Sequence, residues 1–406
     1  MTITGRSIIG LAATLALFGA GCGGATPQTR DAAASDAISG PSRAAEARAL
    51  PPTSSTGAVR AQGAQRMRVS GARAATPNVR HRVSVWLPYW NMPAALDSAV
   101  SNAGLVGTAS PFWYAISGDS TIENDPGAGE QSVIDGLRRR GIRVVPTVTE
   151  TEDMHDFDRM LASVPRRAAM VHALLTIASS RDYSGLDLDF EDFAVDRGHN
   201  TALADEAAAR YPAFVAEVCG ALHAIGRSCA VTIMPRTTGE DVYWRKQLAT
   251  WVYDYGALAR VADRVRIMAY DEHAPGGAPG PIAPYEWVDQ VVTYASSAMA
   301  VGKVELALPA YGYDWSDGSA TAITSRQAPQ LAVQNGVSPS WDPAQAEDTF
   351  RYTADGRRHT VWYEGATAAY DRARLAKAAG FAGIDLWAAG GEDPAVWPIL
   401  RALYAR

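Results

Sequence analysis

Short apolar runs alternate with longer amphipathic stretches from about residue 82 to the end of the chain, and each kind predicts one element. Strands are expected at Val83–Leu87, Gly107–Ile116, Arg143–Thr149, Ser184–Glu191, Ala230–Met234, Val265–Tyr270, Val304–Ala310 and Gly383–Trp387. Helices are expected between them, clearest at Arg166–Ser180, Leu203–Ile225, Tyr285–Met299 and Thr367–Ala379. Asp393 followed by Pro394 predicts the start of a last helix, because proline is tolerated in a first turn. Eight strands separated by helices predict an α/β fold, a (β/α)8 TIM barrel whose active site lies at the C-terminal ends of the strands.

The alternation breaks between the seventh strand and the helix at Thr367, over about residues 312–365. There Thr349–Thr353 and His359–Tyr363 flank the turn Ala354-Asp-Gly-Arg357, which predicts a hairpin. Ser325–Asn335 reads as a helix. A small α+β insertion beside the barrel mouth is therefore expected.

The first 81 residues have another pattern. Arg6 precedes the apolar run Ile8–Phe18, too short to span a bilayer, and Gly19-Ala20-Gly21-Cys22 follows. This reads as a signal peptide over residues 1–21. Small residues before a cysteine are similar to a bacterial lipobox, which implies lipidation at Cys22 and a membrane-anchored lipoprotein facing the periplasm or cell surface; simple secretion is the alternative. Residues 22–81, rich in Ala, Ser, Pro and Arg, offer too little apolar surface to offset ordering entropy and are expected to be a disordered tether.

Charge narrows the partners. The chain carries −6 overall, and the arginine-rich tether leaves about −12 for residues 82–406. So acidic a domain argues against nucleic acid. A monomer is expected. Cys219 and Cys229 are an even pair in an exported chain; a disulfide between them and two buried thiols both fit. The histidines show no metal-ligand spacing, so neither metal nor cofactor is expected.

The candidate chemistry sits on Tyr183-Ser-Gly-Leu-Asp-Leu-Asp-Phe-Glu191. Asp187, Asp189 and Glu191 alternate with Leu186, Leu188 and Phe190, so the acids share one strand face, about 6.6–7 Å apart. Carboxylates crowded on an inward face repel one another and resist desolvation, so at least one holds its proton near neutral pH, as a general acid must. A buried structural network, with the acids paired to Arg or Lys, is the alternative.

Ser184-Gly-Leu-Asp-Leu-Asp-Phe-Glu191 resembles the D-G-x-D-x-D-x-E signature of glycoside hydrolase family 18, the chitinase family, with Ser184 in place of the first Asp. Met268-Ala-Tyr-Asp271 resembles the family's M-x-Y-D strand, and Leu306–Gly312 its G-x-P-x-Y-G strand, with Ala307 replacing the first Gly. Trp387 matches the Trp that floors the central sugar subsite. Met268–His273, Tyr311–Trp315 and the Arg351 to Glu364 hairpin further resemble the branch containing cell-wall and spore-cortex N-acetylglucosaminidases.

The resemblance implies hydrolysis of β-1,4-linked N-acetylglucosamine glycans, chitin or peptidoglycan, with retained configuration. Glu191 would be the acid and base, and Asp189 would hold the acetamido N–H. Asp187 would share a proton with Asp189, and Tyr270 would donate to the acetamido carbonyl. Asp271 and Met268 would line that pocket, while Trp387, Tyr89, Trp113 and Tyr311 would offer aromatic faces to sugar rings. A catalytically inactive carbohydrate-binding lipoprotein of the same fold is the alternative.

Overall fold

A computed structural model describes residues 82–196 and 198–405. The expected signal peptide, Cys22 and the expected tether lie outside these residues.

Eight parallel strands close into a barrel: β1 (Val83–Pro88), β2 (Val106–Ile116), β3 (Thr147–Glu150), β4 (Gly185–Asp189), β5 (Ser228–Ile233), β6 (Arg264–Met268), β7 (Val304–Pro309) and β8 (Gly383–Trp387). Each pairs with its neighbours in sequence, and β1 pairs with both β2 and β8, which closes the ring. The third expected strand is broken: Arg143–Val144 pairs with Thr108–Ala109, and pairing resumes at Thr147. Pro146, which has no N–H to donate, lies in the gap. Helices Val164–Ser180, Thr201–Ala224, Tyr285–Ala298 and Ala366–Ala378 fall within a few residues of expectation. The last helix does not: it spans Val396–Tyr404, because Asp393 accepts from the Ala395 N–H in a turn ahead of it.

The strands bury both faces, and every one sends a polar side chain into the barrel. Ser84, Ser110, Thr147, Asp187, Thr232, Arg266, Glu305 and Asp385 are buried, one from each of β1 to β8. Arg266 is the hub, pairing with Asp187 at 2.9 Å, Glu305 at 3.4 Å and Asp385 at 3.5 Å, and donating to Ser110 at 2.7 Å. At Gly185 a Cβ would come within 2.2 Å of the Ser228 carbonyl oxygen, so only glycine lets β4 lie this close to β5. Cys219 and Cys229 are joined by a disulfide linking helix Thr201–Ala224 to β5.

The expected insertion is a five-stranded antiparallel sheet in the order Ser319–Thr324, Tyr311–Ser316, Arg357–Tyr363, Glu347–Ala354, Ser340–Asp342. The Asp355-Gly356 hairpin is there, both residues at positive φ as such a turn requires. A second hairpin of the same chemistry, turning at Asp317-Gly318, was not among the expected elements. The expected helix shortens to Ala328–Gln334. Arg372, fully buried on helix Ala366–Ala378, fixes the sheet to the barrel by donating to the carbonyls of Ala283, Gln345 and Ala346 and pairing with Glu347 and Glu364.

Candidate active site

Strand β4 positions the acids. Asp187 and Asp189 lie within it, and Glu191 sits just past its end, where the chain turns into the short helix Asp192–Ala194. All three are buried. Ser184 precedes the strand by one residue, out of phase with the three acids, so its side chain belongs to the opposite face.

Their environments differ. Asp187 accepts from Trp86 Nε1 at 3.0 Å, Thr147 Oγ1 at 2.9 Å and Thr232 Oγ1 at 2.9 Å, besides its pairing with Arg266. Its contacts tie it into the polar network of the barrel core, and its charge still acts on Asp189. Asp189 turns instead to Glu191, to which it is hydrogen-bonded, and its Oδ1 is buried without a partner. Burial, then the charge of Asp187, holds Asp189 well above the usual carboxylate range. Burial raises Glu191 likewise, followed by the charges of Asp189, Asp192, Glu150 and Asp271. Neither acid makes an ion pair with a basic side chain among the described residues. The pair can hold a proton at neutral pH and give it up to a bound group.

Asp189 and Glu191 lie in a cleft of about 1100 Å³. Its wall combines Tyr89 and Trp90 after β1, Phe112 on β2, Asp119 and Asp125 after β2, Glu152 after β3 and Arg166 on helix Val164–Ser180. Tyr89, one of the expected sugar-facing residues, lines this cleft. Glu150, also in the wall, is raised by burial and then by Asp192, against the backbone N–H groups of Phe193 and Glu152 that it accepts from.

The remaining expected residues divide. Tyr270 is buried, and burial followed by the charges of Asp189, Glu191 and Asp271 pushes its phenol up, so it stays a donor. Asp271, at φ 64°, accepts from Tyr311 at 2.5 Å and Tyr313 at 3.0 Å, and burial raises it to about 6. Tyr311 is therefore occupied with Asp271 and buried, so it offers no open face to a sugar, contrary to expectation. Met268 is buried at the end of β6. Trp387, also buried, packs edge-on against Trp86, Trp90 and Phe112 behind the cleft wall, so in this structure it too presents no open face, contrary to expectation. Trp113 is the clear miss. It is 1% exposed and faces Tyr183 with ring centroids 6.4 Å apart, because Phe112, one residue earlier on β2, takes the cleft side. Alternation along β2 could have told the two apart.

This geometry has known counterparts. A solved chitinase from Chromobacterium violaceum superposes with a TM-score of 0.71 at 27% identity, covering 80% of this chain and 99% of that one. The Bacillus cereus spore cortex-lytic enzyme SleL shares the fold at a TM-score of 0.68 and 22% identity, over 79% of this chain and 74% of its own. In sequence, the uncharacterized glycosylase YvbX of Bacillus subtilis is 27% identical over 65% of this chain and 76% of its own length. The cortical fragment-lytic enzyme of Bacillus subtilis is 31% identical over 47% of this chain and 45% of its own length. The family profile described as glycosyl hydrolases family 18 matches residues 114–392, from the middle of β2 to just past β8, and with it the chain belongs to that family of glycoside hydrolases.

Proposed function

We propose that this enzyme cleaves β-1,4-linked N-acetylglucosamine glycans with retention of configuration, Glu191 serving as acid and then base. The observation that carries the reading is Glu191 itself, buried at the cleft and raised by its acidic neighbours, with no cation to discharge it. Glu191 gives its proton to the glycosidic oxygen while the sugar's own 2-acetamido carbonyl attacks the anomeric carbon, the substrate-assisted route. Asp189, whose free Oδ1 has no protein partner, accepts from the acetamido N–H and steadies the cyclic cation. Tyr270 donates to the carbonyl oxygen. Water activated by ionised Glu191 then opens the intermediate. Asp187 shares a proton with Asp189 from the barrel core and keeps it available.

The same proposal covers the setting: an exported protein, lipid-anchored through Cys22 and acting as a monomer. The Cys219–Cys229 disulfide supports an oxidising compartment. The test is incubation with chitin oligomers and with peptidoglycan, followed by mass analysis of products. Cleavage beside N-acetylglucosamine that disappears in Glu191→Gln is expected; undiminished cleavage by that variant, or binding without products in the native protein, refutes it.

A further inference from the structure

An unspent cation stands at the mouth of the barrel. After β5 the chain forms a small hairpin in which Tyr243 pairs with Ala249 and Trp244 with Leu248, leaving Arg245 and Lys246 at its tip. The hairpin is tied down on one flank by a bridge from Leu248 to Val195, by the Asp196 N–H donating to Gln247 at 2.7 Å, and by Tyr243 donating to Asp196. On the other flank the Trp244 indole N–H donates to Glu272 at 3.1 Å, and its ring stacks near Trp287. Val195 and Asp196 follow Glu191 by a few residues, and Glu272 follows Asp271 directly. The tip is therefore held between the ends of β4 and β6, which carry Glu191 and Asp271.

Arg245 and Lys246 occupy the left-handed region in succession, at φ 51° and 68°, which sets the direction of the arginine. Its guanidinium lies 5.7 Å from the Trp244 ring centroid. Its charge reaches Asp271 and Tyr313 and opposes the rise in both. Among the described residues it makes no ion pair and no hydrogen bond. Arg236, on the same loop, is by contrast occupied by the carbonyls of Gly239 and Glu240. A half-exposed guanidinium backed by an indole and free to donate is suited to a planar anion, which it takes with two parallel N–H donors.

We propose that Arg245 reads a carboxylate carried by the sugar next to the one held at Glu191, so that the enzyme favours acidic, muramyl-type strands over neutral chitin. This rests on Glu191 acting at an N-acetylglucosamine. In a strand that alternates N-acetylglucosamine with its lactyl ether, either neighbour of that ring carries the lactyl group; chitin carries no anion.

The test compares kcat/KM of the native enzyme, Arg245→Asn and Arg245→Lys on three substrates. These are peptide-free glycan strands with free lactyl carboxylates, peptide-bearing strands in which that carboxyl is amidated, and chitin oligomers. Asparagine tolerates the left-handed backbone, so the hairpin is kept. Arg245→Asn is expected to lower the ratio of muramyl to chitin turnover about tenfold, through KM rather than kcat, with partial recovery in Arg245→Lys. A fall on the peptide-free strand assigns the contact to the lactyl group, and a fall on the peptide-bearing strand alone assigns it to the stem peptide. An equal fall on all three substrates, or none on any, overturns the proposal. A native enzyme that cleaves chitin and neither muramyl strand overturns it while leaving Glu191 its role; one that cleaves nothing overturns both.

Discussion

Arg266 holds Asp187 at 2.9 Å in the barrel core, two residues before Asp189 on the same strand. One member of the acid trio is thereby neutralised from below. The other two lie at the cleft. The same guanidinium faces Glu305 and Asp385, so its loss leaves Asp187 and Asp385 without a cation and Glu305 with Arg264 alone.

Replacing Arg266 with Met should therefore cost about 3–5 kcal/mol, the scale for breaking a buried ion pair on one side. Denaturant titration reads this as a lower midpoint. A midpoint equal to the native one would show that the carboxyls protonate at little cost and that the hub is dispensable.

Activity should fall on the alkaline side. Glu191 is raised by burial and by four acidic neighbours; its proton is present below the raised value and lost as pH climbs through it. Asp192→Asn removes one of those charges and should move the alkaline limb of kcat toward lower pH. A limb that stays put, or moves up, in a pH profile on an N-acetylglucosamine oligomer would count against Glu191 as the titrating acid.

Stability should also depend on pH at the insertion. Burial raises Glu347 to about 7 and Glu364 to about 8, against the opposing charge of Arg372. The folded state keeps these protons where the unfolded chain, near 4.5, has released them. The stability they contribute is whole below about 4.5 and drains away as pH rises toward 7 and 8, by on the order of a few kcal/mol. Glu364→Gln mimics the protonated form, so its Tm should fall less than that of the native protein between pH 5 and about 8. Parallel curves would refute the assignment.

Opening the Cys219–Cys229 bridge should cost about 2–3 kcal/mol, from the freedom regained by a short loop in the unfolded chain. The double variant Cys219→Ala, Cys229→Ala should melt lower, and only the native protein should respond to reductant. Equal melting of the two would show that the bridge adds nothing.

Legibility followed periodicity. The barrel was readable because each strand is an apolar run between amphipathic helices, and the acid trio because its alternation puts three charges on one face. The sorting of that trio was not, since it depends on Arg266, about eighty residues later. A signal was present: Arg266 is a charge set between Val265 and Ile267 in the middle of an apolar strand. Phe112 rather than Trp113 takes the cleft side by parity along β2, a signal present in the sequence. The hairpin at Asp317-Gly318 escaped because Tyr311–Trp315 was read for its likeness to the family and its own alternation was passed over. The hub at Arg372 is a contact between distant segments that no local pattern announces.

That hub bears on how substrate enters. One guanidinium gathers carbonyls from the segment before helix Tyr285–Ala298 and from Gln345 and Ala346 just ahead of Glu347–Ala354, while Tyr311 and Tyr313 at the sheet's root grip Asp271. A flank fastened at both places favours a groove already formed before substrate arrives. Rapid mixing with an oligosaccharide should then give a single fluorescence phase whose rate grows linearly with concentration, and a second, saturating phase would betray a swinging wall.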